Sequence, residues 1–194
     1  MFALMPPEKL SKEIHDERLT FAEEYGFVAA LKPPVHITVL PPFKIPTEDC
    51  NAFETKVSGM HEWAHRQSQL TVELNNFNFF DNYGHPVLFI DVVKSPKLIK
   101  LRTSFLKQLD HYPWIEKSTL PFKPHITIGY RDIDPAVFPT IREVYARRKF
   151  KAAFECDAIY LWKHDGKQWQ IFKTFELNGE ESGEESGEEQ LSLF

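Results

Sequence analysis

Apolar positions along the chain recur with two different periods, which predicts that helices alternate with strands. In four segments the apolar residues lie three or four positions apart, the spacing that gives a helix one apolar face. We predict that these helices begin near Pro7, Thr47, Ser95 and Asp134, and that Gly26 ends the first. Their apolar faces carry Leu10, Ile14, Phe21 and Tyr25; Phe53, Val57, Met60 and Ala64; Leu98, Leu101, Phe105 and Leu109; and Ile141, Val144 and Tyr145.

Segments of alternating or continuous apolar residues lie between the helices and predict strands. The last two flank Asp165-Gly166, a sequence that favours the tight turn of a β-hairpin. Because the hairpin and the short connections accompany the alternation of helices and strands, we predict an α+β fold with a mixed or antiparallel sheet. The predicted strands cover residues 2–5, 27–31, 35–40, 70–74, 87–93, 123–130, 154–163 and 169–177.

The charge of the chain is unevenly distributed. Its formal net charge is −5, but six of the 28 acidic residues lie between Glu180 and Glu189. Without them, 23 basic groups face 22 acidic ones, so the rest of the chain is close to neutral. Proteins that bind long nucleic acids tightly usually carry a basic surplus. The composition therefore argues against such binding, and it is compatible with a small or terminal phosphate substrate.

Two further observations concern the class of protein. No apolar run approaches the roughly 18 residues that cross a bilayer, and the residues after Met1 lack the pattern of a signal peptide. We therefore expect a cytoplasmic protein. The two cysteines, Cys50 and Cys156, indicate neither a metal cluster nor a disulfide scaffold.

One short sequence motif occurs twice in the chain. The first copy is Lys32-Pro-Pro-Val-His-Ile-Thr-Val39, and the second is Lys123-Pro-His-Ile-Thr-Ile128. In each copy a histidine and a threonine stand two positions apart on a predicted strand, so both side chains project from the same face. A single His-x-Thr is common in strands, but two matching copies are much harder to attribute to chance.

Two such pairs brought to one cleft suit the cleavage of a phosphodiester. That reaction needs a base for the incoming nucleophile and an acid for the leaving oxygen. Since histidine has an ordinary pKa of about 6.5, a neutral and a protonated copy can coexist near neutral pH. The hydroxyls of Thr38 and Thr127 can hydrogen-bond phosphate oxygens. We therefore predict His36, His125, Thr38 and Thr127 as catalytic residues.

The two motifs resemble those of a known family. His36-Ile-Thr-Val-Leu-Pro-Pro-Phe43 and Pro124-His-Ile-Thr-Ile-Gly-Tyr130 are similar to the paired motifs of the two-histidine phosphoesterases, which include the 2′-5′ RNA ligase-like and cyclic phosphodiesterase proteins. The resemblance covers about residues 1–177. It implies a bilobal fold, with an antiparallel sheet backed by helices in each lobe and the active-site cleft between the lobes.

The resemblance also implies a reaction. It implies a metal-independent enzyme without a cofactor that acts on RNA 2′,3′-cyclic phosphate ends or cyclic nucleotides, or that catalyses 2′-5′ RNA ligation. Many members follow the second motif with a basic residue, whereas here Gly129 and Tyr130 precede Arg131. For hydrolysis we favour His125 as the base and His36 as the acid, and ligation would exchange these roles.

Residues that follow the motifs are candidates for substrate binding. Cleft mouths that accept nucleotides often carry aromatic side chains on which bases stack. Phe43 follows the first motif, and Tyr130 and Arg131 follow the second. Core packing is an equally good explanation for the two aromatic residues.

Two other functions compete with phosphodiester chemistry. His61-Glu-Trp-Ala-His65 matches the H-E-x-x-H pattern of zinc metalloproteases on a predicted helix, but it has no evident third ligand. Alternatively, the paired motifs could form a non-catalytic module that binds RNA ends or nucleotides. Intact histidines and threonines in both copies favour an enzyme, because a binding module would be free to lose them.

From Asn178 onward the composition changes. Gly-Glu-Glu-Ser repeats offer no apolar side chain to bury, so we predict a disordered acidic tail over residues 178–194. The tail finishes with an apolar segment that resembles the peptide by which bacterial proteins bind the DNA polymerase sliding clamp. The residues predicted to bind this partner are Gln190, Leu191, Leu193 and Phe194.

Overall fold

The architecture was obtained as a computed structural model, which describes residues 1–81, 84–116 and 121–179. Within these ranges the chain forms eight strands and four α-helices. The strands are β1 (Phe2–Leu4), β2 (Ile37–Leu40), β3 (Leu70–Phe80), β4 (Val87–Val92), β5 (His125–Gly129), β6 (Lys151–Cys156), β7 (Ala158–His164) and β8 (Trp169–Glu176). The helices are α1 (Glu8–Tyr25), α2 (Cys50–His65), α3 (Pro96–Lys107) and α4 (Phe138–Arg147).

The strands form two antiparallel sheets of four strands each. The first sheet has the order β2-β1-β7-β8 and the second has the order β5-β4-β3-β6. The hairpin predicted at Asp165-Gly166 joins β7 to β8, with His164 opposite Trp169. The α+β class and the bilobal arrangement of two antiparallel sheets are therefore confirmed.

Helices cover one face of each sheet. In the first lobe, Phe105 of α3 packs edge-to-face on Phe2 of β1 with ring centroids 4.7 Å apart, and α2 contacts β8. In the second lobe, Tyr145 of α4 packs on Phe77 of β3 and on Phe21 of α1. The helix α1, although it directly follows a strand of the first sheet, thus backs the second sheet.

Two predicted helix ends are confirmed. Gly26 has a φ of +79°, the left-handed conformation that glycine adopts at low cost, and its N–H donates to the Ala22 carbonyl. At the start of α3, the Ser95 hydroxyl accepts a hydrogen bond from the Leu98 N–H at 3.1 Å.

The strand predicted over residues 27–31 is wrong. Ala29–Leu31 forms a 3₁₀ turn, and the N–H groups of Val28 and Ala29 donate to the Asp132 carboxylate at 2.7 and 2.8 Å. These donors would otherwise serve a strand ladder. A side chain more than 100 positions away in the sequence captures them, which explains why local hydrophobicity misled the prediction.

The single strand predicted over residues 154–163 is also wrong, because the chain divides at Asp157 into β6 and β7. β6 pairs with β3 in the second sheet, whereas β7 pairs with β1 and β8 in the first. The apolar pattern continues through the crossing and does not reveal it.

Some helix boundaries also differ from the prediction. A 3₁₀ turn at Thr47–Asp49 precedes α2, so Thr47 is not its N-cap, and α4 begins at Phe138 rather than at Asp134. The helix α3 ends at Lys107, before Leu109.

Only the first two residues of the predicted tail lie within the described ranges. Asn178 and Gly179 are described, and the Gly179 N–H donates to the Gln67 carbonyl at 2.9 Å. The predicted partner-binding segment from Gln190 to Phe194 lies outside the described residues. Within the described ranges, none of the helices is both long enough and apolar enough to span a membrane.

Candidate active site

The two His-x-Thr segments meet where the lobes meet. β2 and β5 are edge strands of their respective sheets, and the two strands contact each other. His36 immediately precedes β2, and His125 is the first residue of β5. The fold therefore brings both histidines to one seam between the sheets.

Alternation along each strand decides which side chains face the seam. Ile37 and Ile126, the central residues of the two motifs, have no exposed surface and anchor their strands in the core. The histidines and threonines on either side of them are partly exposed. Each motif thus offers a partly exposed imidazole and hydroxyl near the seam, as the period of a strand requires.

Both imidazoles are oriented by a hydrogen bond to the backbone carbonyl two residues earlier in the chain. Nδ1 of His36 lies 2.7 Å from the Pro34 carbonyl oxygen, and Nδ1 of His125 lies 2.8 Å from that of Lys123. Because a carbonyl can only accept, Nδ1 must carry the proton in each ring. The other ring nitrogen, Nε2, is then the one available for chemistry.

The electrostatic surroundings of His36 favour its neutral form. Burial, and after it the charges of Arg18 and His125, lower the pKa of His36 to about 4, while the hydrogen bond with the Pro34 carbonyl opposes this effect. The charge of His125 is thus one of those that act on His36, in keeping with the contact between β2 and β5. At neutral pH, His36 is therefore a proton acceptor.

His125 has a different environment. Burial lowers its pKa, the Lys123 ammonium adds to this effect, and the hydrogen bond to the Lys123 carbonyl and the charge of Asp91 raise the pKa. Asp91 lies opposite His125 across the β4–β5 pair. The imidazole also packs against the rings of Phe80 and Phe89, both at a centroid distance of 5.1 Å. Lys123 lies over the same two rings, which places a cation beside the histidine.

Sequence reasoning missed Arg18, the one buried charged side chain in the described part of the chain, at 1% exposure. Its Nε donates to the Thr127 carbonyl and its Nη1 donates to the Pro33 carbonyl, both at 2.9 Å. Burial lowers its pKa to about 10, so it remains protonated at neutral pH. A signal was present, because Arg18 continues the four-residue spacing of Leu10 and Ile14 on the apolar face of α1.

The three predicted substrate-binding residues have different surroundings. Phe43 packs with Phe53 and Trp114 at centroid distances of 5.7 and 5.8 Å, which favours a supporting position in the first lobe. Tyr130 directly follows β5 and is partly buried. The exposed Arg131 guanidinium lies 5.1 Å from the centre of the Tyr130 ring, and its φ is +65°.

The zinc-protease pattern does not assemble into a metal site in the described part of the chain. His61 and His65 both lie on α2, with ring centroids 6.4 Å apart, and the His61 ring packs against Phe175. Among the described residues, no three histidine, cysteine, aspartate or glutamate side chains are grouped so that they could hold a metal ion. A third ligand, which such an enzyme requires, is therefore not supplied by these residues.

Comparison with known proteins identifies the family. A family model described as the 2′-5′ RNA ligase superfamily matches residues 6–168. The chain belongs to this superfamily. The resemblance to two-histidine phosphoesterases is thus confirmed, and membership supports a phosphoesterase or ligase-like activity. No curated protein matches the sequence significantly.

Solved structures share the fold of this superfamily member at low sequence identity. The protein TT0787 of Thermus thermophilus has a TM-score of 0.66 and 21% identity, covering 92% of this chain and 97% of its own. E. coli LigT complexed with 3′-AMP has a TM-score of 0.60 and 20% identity, covering 91% and 95%. Kluyveromyces marxianus Usb1 has a TM-score of 0.51 and 14% identity, covering 91% and 96%.

Proposed function

We propose that this protein is a metal-independent phosphodiesterase that opens 2′,3′-cyclic phosphates at RNA ends or in small cyclic nucleotides. The observation that carries the proposal is the meeting of two histidines where β2 contacts β5, each with Nδ1 held by a carbonyl. One imidazole can accept a proton while the other donates one, which is what in-line displacement at phosphorus requires.

The surroundings of the two histidines suggest acid and base roles opposite to those that we favoured from the sequence. His36, with its pKa lowered to about 4, is unprotonated at neutral pH and is therefore assigned as the base. Burial and Lys123 also lower the pKa of His125, but the Lys123 carbonyl and Asp91 oppose this, so we assign His125 as the acid. In hydrolysis, Nε2 of His36 takes a proton from water as the water oxygen bonds to phosphorus. The bond from phosphorus to the 2′ or 3′ oxygen breaks, and Nε2 of His125 gives its proton to that oxygen. Proton exchange with solvent then restores both rings.

Other residues at the seam can hold the substrate. Thr38 and Thr127 occupy equivalent positions, from which their hydroxyls can donate to non-bridging phosphate oxygens. The Lys123 ammonium beside His125 supplies positive charge for the phosphate. We assign the nucleoside to the side of Tyr130 and Arg131, which present a ring and a guanidinium next to the end of β5.

The test is product analysis with purified protein in the presence of EDTA. The substrates are RNA oligonucleotides ending in a 2′,3′-cyclic phosphate, the four 2′,3′-cyclic nucleotides, and a pair of RNA ends for ligation. We expect a linear 2′- or 3′-phosphomonoester as the product. Abolition of turnover by EDTA would contradict the proposal. Binding without turnover would instead identify a non-catalytic module for RNA ends, and joining of the ends would identify a ligase.

A second proposal rests on sequence alone and concerns a partner. We propose that Gln190–Phe194 binds the sliding clamp of a bacterial DNA polymerase. Leu191, Leu193 and Phe194 supply apolar side chains for a hydrophobic pocket, and Gln190 supplies an amide for its rim. The acidic, Gly- and Ser-rich residues before this segment have the composition of a flexible linker.

Fluorescence anisotropy with a labelled peptide of residues 188–194 and a purified bacterial clamp tests this second proposal. Micromolar affinity that is lost with Gln190→Ala and with Phe194→Ala would support it. No binding at high micromolar peptide would rule it out, without consequence for the proposed enzymatic activity.

A further inference from the structure

The buried arginine of α1 contacts both halves of the active site. Arg18 bonds to the Pro33 carbonyl, three residues before His36, and to the Thr127 carbonyl, inside the second His-x-Thr motif. Pro33 leads into the first sheet, and Thr127 belongs to the second. One planar group therefore joins the two segments that carry the histidines.

Burial of the charged Arg18 side chain at this position costs free energy. At 1% exposure the guanidinium has lost its water, and its two hydrogen bonds in the described ranges go to backbone carbonyls. Its third terminal group, Nη2, has no hydrogen-bond partner among the described residues. An apolar side chain of similar size would avoid this cost, and it would also leave both carbonyls without this donor.

We propose that Arg18 is a positioning residue that fixes the distance and orientation between the two His-x-Thr segments. The rigid fork of a guanidinium presents N–H groups in two fixed directions, whereas an ammonium is a point charge on a flexible stem. Arginine can thus hold two carbonyls of different segments in one geometry, and lysine cannot reproduce this. The inference rests on the proposed phosphodiesterase function only where activity is the readout.

The same guanidinium has an electrostatic effect on His36. The charges that act on His36 come from Arg18 on α1, from His125 on β5 and from the amino group of Met1 beside β1, and each lowers its pKa. Loss of the positive charge at position 18 should therefore raise the pKa of His36. Arg18→Lys and Arg18→Met separate the two effects, because the first keeps the charge and the second removes it.

Arg102 offers a matched control. It lies on α3, donates from Nε to the Val39 carbonyl at 3.2 Å and stacks on Phe122, so it bonds to one motif strand only and is partly exposed. Arg102→Met should lower the melting temperature while changing kcat by less than about threefold. It thus reports what losing a helix-to-strand arginine contact costs when the two segments are not bridged.

The decisive experiment combines steady-state kinetics, thermal melting and NMR titration of the His36 and His125 imidazoles. We expect Arg18→Lys and Arg18→Met each to lower kcat about 10- to 100-fold with little change in KM, because misplacement of reacting groups by about 1 Å costs about that much. The pKa of His36 should rise in Arg18→Met and stay near its wild-type value in Arg18→Lys.

Wild-type kcat in both variants, with only a lower melting temperature, would overturn the proposal. An unchanged pKa of His36 in a folded Arg18→Met would overturn the electrostatic effect of Arg18, whereas the kinetics decide its positioning role. If Arg18→Met does not fold, Arg18→Lys decides the kinetic part. If the wild type cleaves none of the cyclic phosphates, the proposed function fails. The NMR titration, which needs no substrate, then still tests whether Arg18 sets the state of His36.

Discussion

The two His-x-Thr segments share a sequence but differ in their surroundings. In the first lobe, His36 has a positive neighbour in Arg18, and burial lowers its pKa to about 4. In the second lobe, burial and the Lys123 ammonium lower the pKa of His125, whereas Asp91, opposite it across the β4–β5 pair, raises that pKa. The same motif therefore lies in two different electrostatic environments, and the proposed division of proton-transfer roles rests on that difference.

The residues that follow the two threonines show a second difference. The fifth position of the motif is the buried Leu40 in β2 and Gly129 in β5. A Cβ on Gly129 would collide with the ring of Phe21 on α1. The second segment thus lets a helix approach its backbone closely, and this close approach carries Arg18 to the Thr127 carbonyl.

The largest effect that tests this comparison is loss of either histidine. His36→Ala and His125→Ala should each lower kcat about 10²- to 10⁴-fold, because general acid or base catalysis is removed. A diester with a p-nitrophenolate leaving group, which departs without a proton, should restore much of the rate to His125→Ala and none to His36→Ala. Rescue of His36→Ala alone would show that His36 is the acid and His125 the base. Equal rescue of both variants would contradict any division of the acid and base roles between the two histidines.

The threonine hydroxyls should matter less and about equally. Thr38→Val and Thr127→Val keep the side-chain shape and remove the hydroxyl that donates to phosphate in the proposed mechanism, so we expect a loss of about 10-fold in kcat/KM. Steady-state kinetics on one cyclic nucleotide measures both. A loss confined to one variant would place the phosphate against one strand rather than between the two.

A packing variant tests the close approach at Gly129. Gly129→Ala should destabilise the fold by about 1–3 kcal/mol, because Phe21 is fully buried and must move. The control is Gly59→Ala, on an exposed stretch of α2 with no atom within 4 Å of the added Cβ, which should stabilise by about 0.5–1 kcal/mol. Denaturant unfolding measures both, and a neutral Gly129→Ala would contradict the contact.

The smallest effect is a displacement of the pH profile. Activity should fall at low pH as His36 is protonated near pH 4, and at high pH as His125, with a pKa below 6.5, loses its proton. The maximum of kcat/KM therefore lies on the acid side of pH 6.5. Asp91→Asn removes a charge that raises the pKa of His125, so only the alkaline limb should move, to lower pH. Movement of the acid limb instead would place the acid at His36.

Several local features of this protein follow from residues that are close together in the sequence. The period of a strand put each histidine beside a threonine with a buried isoleucine between them, and Gly26 and Ser95 marked two helix ends. These features were predictable because they depend on residues within a few positions of one another.

Tertiary structure decided what those features do. Residues 27–31 do not form the expected strand, because the segment bonds to Asp132 instead. The chain crosses from one sheet to the other at Asp157 without a break in its apolar pattern. The bond from Arg18 to Thr127 spans 109 positions, and the charges that distinguish His36 from His125 come from other elements. Sequence patterns report local periodicity, whereas distances between remote segments, and the fields that depend on them, exist only once the chain is packed.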